Sequence, residues 1–306
     1  MKINYVLKSD AKIAVEMNDN DYEVIYGQIE ALHNKTPNRY CPGCEHGILT
    51  KLIAKAITEL GLKAKTIGVA SVGCSVRAYQ YYNIDHIQVM HGRAPAVCTG
   101  IKRSLPDSVV YTVQGDGDAL AIGLGETISA AIRGEPISVF LVNNAIYGMT
   151  GGQMAPTTHN GMWTSTTPTG RDVETTGQPI LICEMLKEVA KATYVKRVSA
   201  IIEEKKSKNG SVWSAKNILN TYRAIESAFK VQLLGGYAFV EILTTCAVNW
   251  KMNVIEAKRW GVANHVKNFP PALFRDDFGV ELKAKPMVDT SEDSLALRSI
   301  KEETGC

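Results

Sequence analysis

The sequence lacks a strong excess of charge of either sign. Lys and Arg together number 34 against 31 Asp and Glu, which leaves a formal net charge of +3, and the two signs alternate along the chain, as in RSIKEET. A protein that binds nucleic acid through its phosphates concentrates Lys and Arg on one face or stripe. The composition therefore argues against a nucleic-acid-binding protein.

Long apolar runs are also missing. No stretch approaches the roughly 20 residues that a helix needs to cross a bilayer. The first residues, MKINYVLKSD, do not contain the apolar core of a secretory signal. We therefore predict no membrane partner and a cytoplasmic location.

Cysteine is too sparse for a disulfide framework. The chain has 7 cysteines in 306 residues, which is an odd number at modest density. A chain of this length buries enough apolar surface to fold without crosslinks. The clustering of the cysteines thus points to metal or redox chemistry before disulfides.

Short apolar strands alternate with helical segments over most of the chain. Residues 1–40 read as a charged extension without clear periodicity, residues 41–250 carry the alternating pattern, and residues 251–306 read as a further helix followed by an irregular tail. The alternation is typical of an α/β fold with a doubly wound, mainly parallel sheet. In such sheets, ligands bind beyond the carboxyl ends of the strands.

A loop rich in Gly, Thr and Pro follows the strand ISVFLV. It is about thirty residues long, and loops of that length in compact domains are usually functional or disordered. We predict that it closes over a ligand. Its Arg171 is interpreted as a surface arginine, with a contact to a substrate carboxylate as the alternative.

The segment GDGDALAIGLGETISAAIRGEPISVFLVNN places polar groups after two strands. Asp116 lies between two glycines at the end of the first strand, and Asn144 follows the second, one helix later. A right-handed crossover returns Asn144 to the same edge as Asp116. One carboxylate, one amide oxygen and a nearby carbonyl supply half of the octahedral oxygen shell that Mg²⁺ prefers, with phosphate and water as its other ligands. Taken alone, GDG is more typical of a simple turn.

The cysteines of RYCPGCEHG can bind one metal centre together with more distant partners. Cys41 and Cys44 are spaced for a redox pair, half a zinc site or part of an iron–sulfur site. Cys74 and Cys246 each follow a predicted strand, so all three segments can meet at one edge of the sheet. Either residue, taken singly, could equally be a small buried hydrophobe.

Taken together, these motifs resemble a known family. The GDG and NN pair, NNAIYGMTGGQMAPTT and HGRAPAVCTGIK resemble the β subunit of 2-oxoacid:ferredoxin oxidoreductases, in the 2-oxoisovalerate or 2-oxoglutarate branch. The resemblance covers about residues 40–250 and implies the diphosphate-binding half of a thiamine diphosphate-binding fold. It implies that Asp116, Asn144 and the carbonyl of Ile146 ligate Mg²⁺. Residues implied to surround the cofactor are Ser75, His91, Thr99, Gly117, Asp118, Gly148, Met149 and Thr150. For His91, a hydrogen-bonded core histidine is the alternative.

The resemblance also assigns the four thiols. It implies that Cys41, Cys44, Cys74 and Cys246 bind a 4Fe-4S cluster close to the thiamine, and it leaves Cys98, Cys183 and Cys306 without a ligand role. Glu45 stands where the family pattern has glycine. A carboxylate beside a cluster stabilises its oxidised form, so Glu45 is expected to lower the reduction potential.

The implied activity is the oxidative decarboxylation of a 2-oxoacid with coenzyme A to acyl-CoA and CO₂. Electrons would pass through the 4Fe-4S cluster to ferredoxin. The glutamate that activates the pyrimidine ring is expected on an α subunit, with γ and δ subunits as further partners. The alternatives are a subunit of a non-redox thiamine diphosphate-dependent decarboxylase and a non-enzymatic module with a zinc site.

Overall fold

The computed structural model of the chain describes residues 29–33, 36–207 and 210–281. Its strands are β1 (Thr66–Ala70), β2 (Asp85–Gln88), β3 (Val109–Gly115), β4 (Ser138–Asn143), β5 (Ile146–Tyr147), β6 (Gln153–Met154), β7 (Tyr194–Ser199), β8 (Glu203–Ser207), β9 (Gly210–Ser214), β10 (Ala238–Leu243) and β11 (Ala272–Asp276). Its α-helices are α1 (His46–Glu59), α2 (Ala94–Ser104), α3 (Leu124–Arg133), α4 (Val173–Thr176), α5 (Ile182–Leu186), α6 (Lys216–Leu233), α7 (Ala247–Trp250), α8 (Val254–Trp260) and α9 (Val266–Asn268). Shorter 3-10 or π-helical segments are Lys63–Lys65, Cys74–Gln80, Asp118–Ile122 and Gly261–His265.

Seven strands form the main sheet in the order β11-β7-β10-β4-β3-β1-β2. All neighbouring pairs are parallel except β11 and β7, which are antiparallel. Two small antiparallel pairs, β5 with β6 and β8 with β9, lie outside it. The predicted doubly wound, mainly parallel α/β fold is confirmed.

Apolar side chains cover both faces of this sheet. Helices α1 and α6 pack on one face, where Ile53 and Phe229 join a cluster with Tyr111 of β3. Helices α2, α3 and α5 pack on the other, with Leu186 in the second cluster. Every residue of β4 is buried because this strand is central and covered on both sides. This is why its four middle residues, 139–142, are all apolar.

Parallel pairing sends the carboxyl ends of six neighbouring strands to one edge. The carboxyl ends of β2, β1, β3, β4, β10 and β7 lie side by side, and Leu243 of β10 pairs in register with Asn143 of β4. Three of the segments that leave this edge begin at Ser71, Asp116 and Asn144. Most of the polar and thiol side chains singled out from the sequence therefore start from the same side of the sheet.

Several elements differ from the sequence expectation. The β8–β9 hairpin follows β7 where the sequence predicts only a connection to the next helix, and β11 lies within the segment predicted as an irregular tail. The segment ILICEMLKEVAKA predicts one continuous helix, but α5 is only 5 residues long. Residues 1–28 of the predicted extension and residues 282–306 lie outside the described residues. In the part of the chain that is described, no helix combines the length and the hydropathy needed to span a bilayer.

Candidate functional site

Asp116 occupies a buried turn directly after β3. Its side chain is almost fully enclosed, with a relative exposure of 2%. One carboxylate oxygen accepts a hydrogen bond from the amide of Gly117 at 2.8 Å, and the other accepts one from the Thr157 hydroxyl at 2.5 Å. Burial raises the pKa of Asp116 to about 6, since the neutral hydrogen-bond donors only partly offset the loss of water.

Asn144 lies in a constrained turn after β4. Its side-chain oxygen accepts a hydrogen bond from the amide of Ile146 at 3.2 Å, and its backbone carbonyl accepts one from the Trp250 indole at 3.1 Å. Between Asn144 and Ile146, Ala145 adopts a φ of 60°, which is strained for a residue other than glycine. The hydroxyl of Thr158 donates a hydrogen bond to the Ala145 carbonyl at 2.6 Å. Strain retained in this way is typical of functional turns.

These two turns fit a divalent cation. Asp116 and Asn144 line the same cavity together with Ile146. Among the described residues, no cationic side chain forms an ion pair with the Asp116 carboxylate. A buried carboxylate with neutral donors beside an amide oxygen is a suitable donor set for Mg²⁺, which also needs phosphate and water oxygens.

The cavity wall next to Asp116 depends on Gly117. The Tyr147 ring lies directly over this glycine and its hydroxyl donates to the Gly117 carbonyl at 3.1 Å. A Cβ atom on Gly117 would lie 2.2 Å from the ring. Only glycine therefore permits this packing. Gly148, Met149 and Thr150 continue the wall of the same cavity.

Replacing Gly117 by alanine should displace Tyr147 and lower stability by about 1–3 kcal/mol, the usual range for overpacking. Urea denaturation of the metal-free protein measures this directly. Gly125→Ala is the matched control, because a Cβ atom on Gly125 would meet no other atom within 4 Å and alanine favours the interior of α3. Equal stability of the two variants would contradict the packing role of Gly117.

Asp118 holds His91 rather than facing the cavity with a free carboxylate. Its oxygens accept hydrogen bonds from Ser71 at 2.9 Å, the Gly92 amide at 2.6 Å and Gln114 at 2.6 Å, and also from His91 Nδ1. The His91 side chain is 30% exposed and lines the cavity. It is therefore not the enclosed core histidine of the alternative interpretation.

The structure does not bring Thr99 and Ser75 to this cavity wall. Thr99 lies on α2, where its hydroxyl donates to the Pro95 carbonyl at 2.8 Å. Ser75 is buried behind Cys74 beside a much smaller void, and its hydroxyl has no partner among the described residues. A cofactor role for these two residues stays a prediction.

Cys74 and Cys246 meet at Gly148. A Cβ atom on Gly148 would lie 3.4 Å from the sulfur of Cys74 and 3.5 Å from that of Cys246, so the two thiols flank one glycine of the cavity wall. Asn249 donates from one amide group to the Gly148 carbonyl at 2.7 Å and to the Cys246 sulfur at 3.4 Å. The glycine leaves room between the sulfurs that any side chain would fill.

Cys41 and Cys44 approach the same sulfurs from the turn before α1. The Cys44 amide donates to the Cys41 carbonyl at 3.1 Å, and His46 Nδ1 lies 2.9 Å from the Cys44 sulfur. The pKa of Cys44 is raised to about 12, mainly by burial, with smaller contributions from the nearby Glu45, Cys74 and Cys246. Burial likewise raises the pKa of Cys74 to about 11, with contributions from Cys246 and Cys41.

All four predicted cluster thiols therefore interact electrostatically. Buried thiols repel one another as thiolates, so a positively charged iron centre is the kind of partner that would favour their ionised form. Cys98 and Cys183 are buried elsewhere, and Cys306 lies outside the described residues. Within the described ranges, no three His, Cys, Asp or Glu side chains are grouped to hold a single metal ion.

Arg171 is neither a surface arginine nor a group free for a substrate. It is only 4% exposed, and its guanidinium donates to the carbonyls of Pro156, Thr158 and Gly177 at 3.1, 2.6 and 2.9 Å. Both sequence interpretations of this residue are wrong, because the long loop folds around its guanidinium. The loop is thereby held in the shape that presents Thr157 to Asp116.

Sequence reasoning missed three side chains of the site. Thr157 bonds to Asp116, Tyr147 covers Gly117, and His46 contacts Cys44 while lining the cavity. All three lie within the thiamine diphosphate and cysteine motifs. The pattern of a motif alone does not indicate which of its members face the site.

Comparisons with known proteins identify a matching family profile and several similar proteins. Residues 66–212 match the family profile described as thiamine pyrophosphate enzyme, C-terminal TPP binding domain. The chain is 44% identical to the ketoisovalerate oxidoreductase subunit VorA of Methanothermobacter thermautotrophicus, over 84% of this chain and 51% of that protein. It is 36% identical to the 2-oxoglutarate synthase subunit KorB of Methanocaldococcus jannaschii, over 70% of this chain and 71% of that protein. The chain thus spans about half the length of the VorA relatives.

A solved structure shares the fold. The 2-oxoglutarate:ferredoxin oxidoreductase from Magnetococcus marinus, with 2-oxoglutarate, coenzyme A and succinyl-CoA bound, superposes with a TM-score of 0.62. The match covers 91% of this chain and 94% of that one at 24% identity. At this identity, the likeness shows the fold alone.

Proposed function

The chain belongs to the family of thiamine diphosphate-binding subunits of 2-oxoacid:ferredoxin oxidoreductases, and on this premise we propose that it forms half of an active site for oxidative decarboxylation. The substrates are a 2-oxoacid and coenzyme A, and the products are acyl-CoA and CO₂. The oxoacid belongs to the 2-oxoisovalerate or 2-oxoglutarate class, in keeping with the names of the relatives. The electron acceptor is ferredoxin.

One observation carries this proposal: the candidate cation ligands and the thiols share one cavity. Cys74 lines it together with Asp116 and Asn144. Cys246 lies beside Gly148 of the same wall. A decarboxylase that does not transfer electrons has no need of thiols at this position, so the juxtaposition favours a redox enzyme.

When bound, thiamine diphosphate supplies the electron sink for decarboxylation, and a 4Fe-4S cluster accepts electrons singly. The residues of this chain would bind and enclose these groups. Asp116, Asn144 and the Ile146 carbonyl would hold the Mg²⁺ that neutralises the diphosphate. Tyr147 over Gly117 closes one wall, and Asp118 fixes the orientation of His91 at the cavity edge. Cys41, Cys44, Cys74 and Cys246 would ligate the iron.

The site in this chain is only half enclosed. The cavity has a volume of about 80 Å³, whereas pockets for cofactor-sized ligands are usually about 300–1,000 Å³. The exposed side chain of Met149 lies at its mouth. We therefore assign the remaining walls and the pyrimidine-activating glutamate to an α subunit, with γ and δ subunits as further partners. Because the described cysteines are free thiols, a reducing compartment such as the cytoplasm suits the site.

The test is an assay of the complex purified anaerobically with its partner subunits. A panel of 2-oxoacids is offered with coenzyme A, thiamine diphosphate, Mg²⁺ and a viologen dye. We expect dye reduction that requires coenzyme A, and none with this chain alone. Release of CO₂ without coenzyme A or dye reduction would instead indicate a non-redox decarboxylase. Zinc without iron in metal analysis would contradict the cluster.

A further inference from the structure

A buried ion pair joins two distant segments that carry the cluster thiols. Glu45, next to Cys44, forms an ion pair with Lys258 of α8. The two residues are 1% and 6% exposed. Burying an ion pair contributes little net stability compared with apolar packing, because both charges lose water. A reason other than stability is therefore needed for charges at this place.

The hydrogen bonds of the pair supply that reason. Glu45 accepts from the Thr245 amide at 2.8 Å and from the Thr245 hydroxyl at 3.0 Å. Lys258 donates to the Gly43 carbonyl at 2.6 Å and to the Thr245 hydroxyl at 3.2 Å. Gly43 lies between Cys41 and Cys44, and Thr245 directly precedes Cys246. The pair thus joins the two turns that hold three of the four thiols.

Helix α8 also packs against the first turn. Gly43 has a φ of +78°, and a Cβ atom there would lie 2.5 Å from Val254, the first residue of α8. Asn253 caps this helix: its side chain accepts a hydrogen bond from the Glu256 amide, and its own amide donates one to the Glu256 side chain. Val254 and Lys258, one helical turn apart, therefore present a fixed surface to the Cys41–Cys44 turn.

The pair also changes the expected effect of Glu45. A lone carboxylate beside a cluster would lower its reduction potential, as the sequence suggests. Lys258 places an opposite charge in direct contact with Glu45. The two charges largely cancel at the distance of the thiols, so the potential should depend on their balance.

We propose that Lys258, paired with Glu45, is a positioning residue that holds the Cys41–Cys44 turn against the Cys246 turn and balances the charge beside the iron–sulfur cluster. The inference rests on the proposed function for the presence of the cluster. The ion pair and its hydrogen bonds do not depend on it. No residue of the pair is a ligand, and both act through the turns to which they bond.

The experiment compares Lys258→Met, Lys258→Arg and the double variant Glu45→Gln/Lys258→Met, purified anaerobically with their partner subunits. Arg259→Met is the matched control, because Arg259 is the next residue but forms an exposed ion pair with Glu204. Iron and sulfide content, cluster midpoint potential and hydrogen exchange of the Thr245 amide are measured. The exchange is followed in the iron-free protein.

In Lys258→Met, iron retention during chelator challenge should weaken ~10-fold or more, the scale seen when partners of metal ligands are removed. The remaining cluster should have a more negative potential, because Glu45 is no longer balanced, and the Thr245 amide should exchange faster. Lys258→Arg should retain the cluster, and the double variant should return the potential toward that of the wild type.

Wild-type iron retention and potential in Lys258→Met would overturn the inference, as would an equal loss in Arg259→Met. Failure of the proposed function gives a different result. If the wild-type protein holds no iron–sulfur cluster, the function is wrong, while the Thr245 exchange rates still report whether the pair joins the two turns. Circular dichroism of each variant identifies one that does not fold.

Discussion

Asp116→Ala is expected to weaken Mg²⁺-dependent binding of thiamine diphosphate by ~100-fold or more. Loss of a group that merely supports a ligand already costs up to about 100-fold in metal affinity, and Asp116 supplies the carboxylate of the candidate cation site. Isothermal titration of the protein with cofactor at fixed Mg²⁺ measures the effect. Oxoacid-dependent dye reduction by the assembled complex should fall in parallel.

The matched control is Asp107→Ala, an exposed aspartate in the connection that leads into β3, at the opposite edge of the sheet. It should bind the cofactor as the wild type does. Asp116→Asn keeps the shape of the side chain but removes its charge, so it separates the electrostatic contribution from packing with Thr157 and Gly117. Wild-type cofactor affinity in Asp116→Ala would show that the cation binds elsewhere.

Arg197→Met is expected to lower the free energy of unfolding by about 3–5 kcal/mol, the usual effect of removing one partner from a buried ion pair. Arg197 of β7 and Glu241 of β10 are both 0% exposed and lie opposite each other in register. Arg197 also donates two hydrogen bonds to the Glu184 carboxylate, at 2.8 and 2.6 Å. Without the guanidinium, the Glu241 carboxylate would stay buried without a cation.

Urea denaturation of the metal-free chain measures this effect. Replacing both charges, as in Arg197→Met/Glu241→Met, should recover much of the loss, because no buried charge is then left alone. Lys187→Met removes an exposed ion pair with Glu188 and should change stability by less than about 0.5 kcal/mol. A loss of less than about 1 kcal/mol in Arg197→Met would contradict the role of the pair.

The sequence predicts the sheet and the location of the site well because both follow from periodicity. Apolar strands alternating with helices require a parallel sheet, and parallel strands bring their carboxyl ends together. This is why Asp116 and Asn144, one crossover apart, line a common cavity. The cysteine segments are brought together by the same rule, since Cys74 and Cys246 follow strands of the same sheet.

The side chains that connect these motifs could not be predicted in the same way. Lys258 and Glu45 are far apart in sequence, and each resembles an ordinary surface charge until α8 is placed against the Cys41–Cys44 turn. Glu241 shows a weak signal, since it is the one charge in the strand AFVEIL, whereas Arg197 follows Lys196 in YVKRVS and shows none. Their pairing depends on β7 lying beside β10, and strand order is not encoded in local patterns. The sequence interpretation of Arg171 is wrong because nothing in a loop rich in Gly and Thr indicates that its arginine is buried.

The order of the strands has a consequence for how the subunit matures. Cys41 and Cys44 precede β1, whereas Cys246 follows β10, which pairs with β4 in the middle of the sheet. During translation the thiols cannot be gathered until nearly all of the described chain has emerged and β10 has inserted beside β4. Under the proposed function, a cluster that needs all four thiols would be completed only after β10 has taken its place, so its loading would follow the formation of the sheet rather than start it.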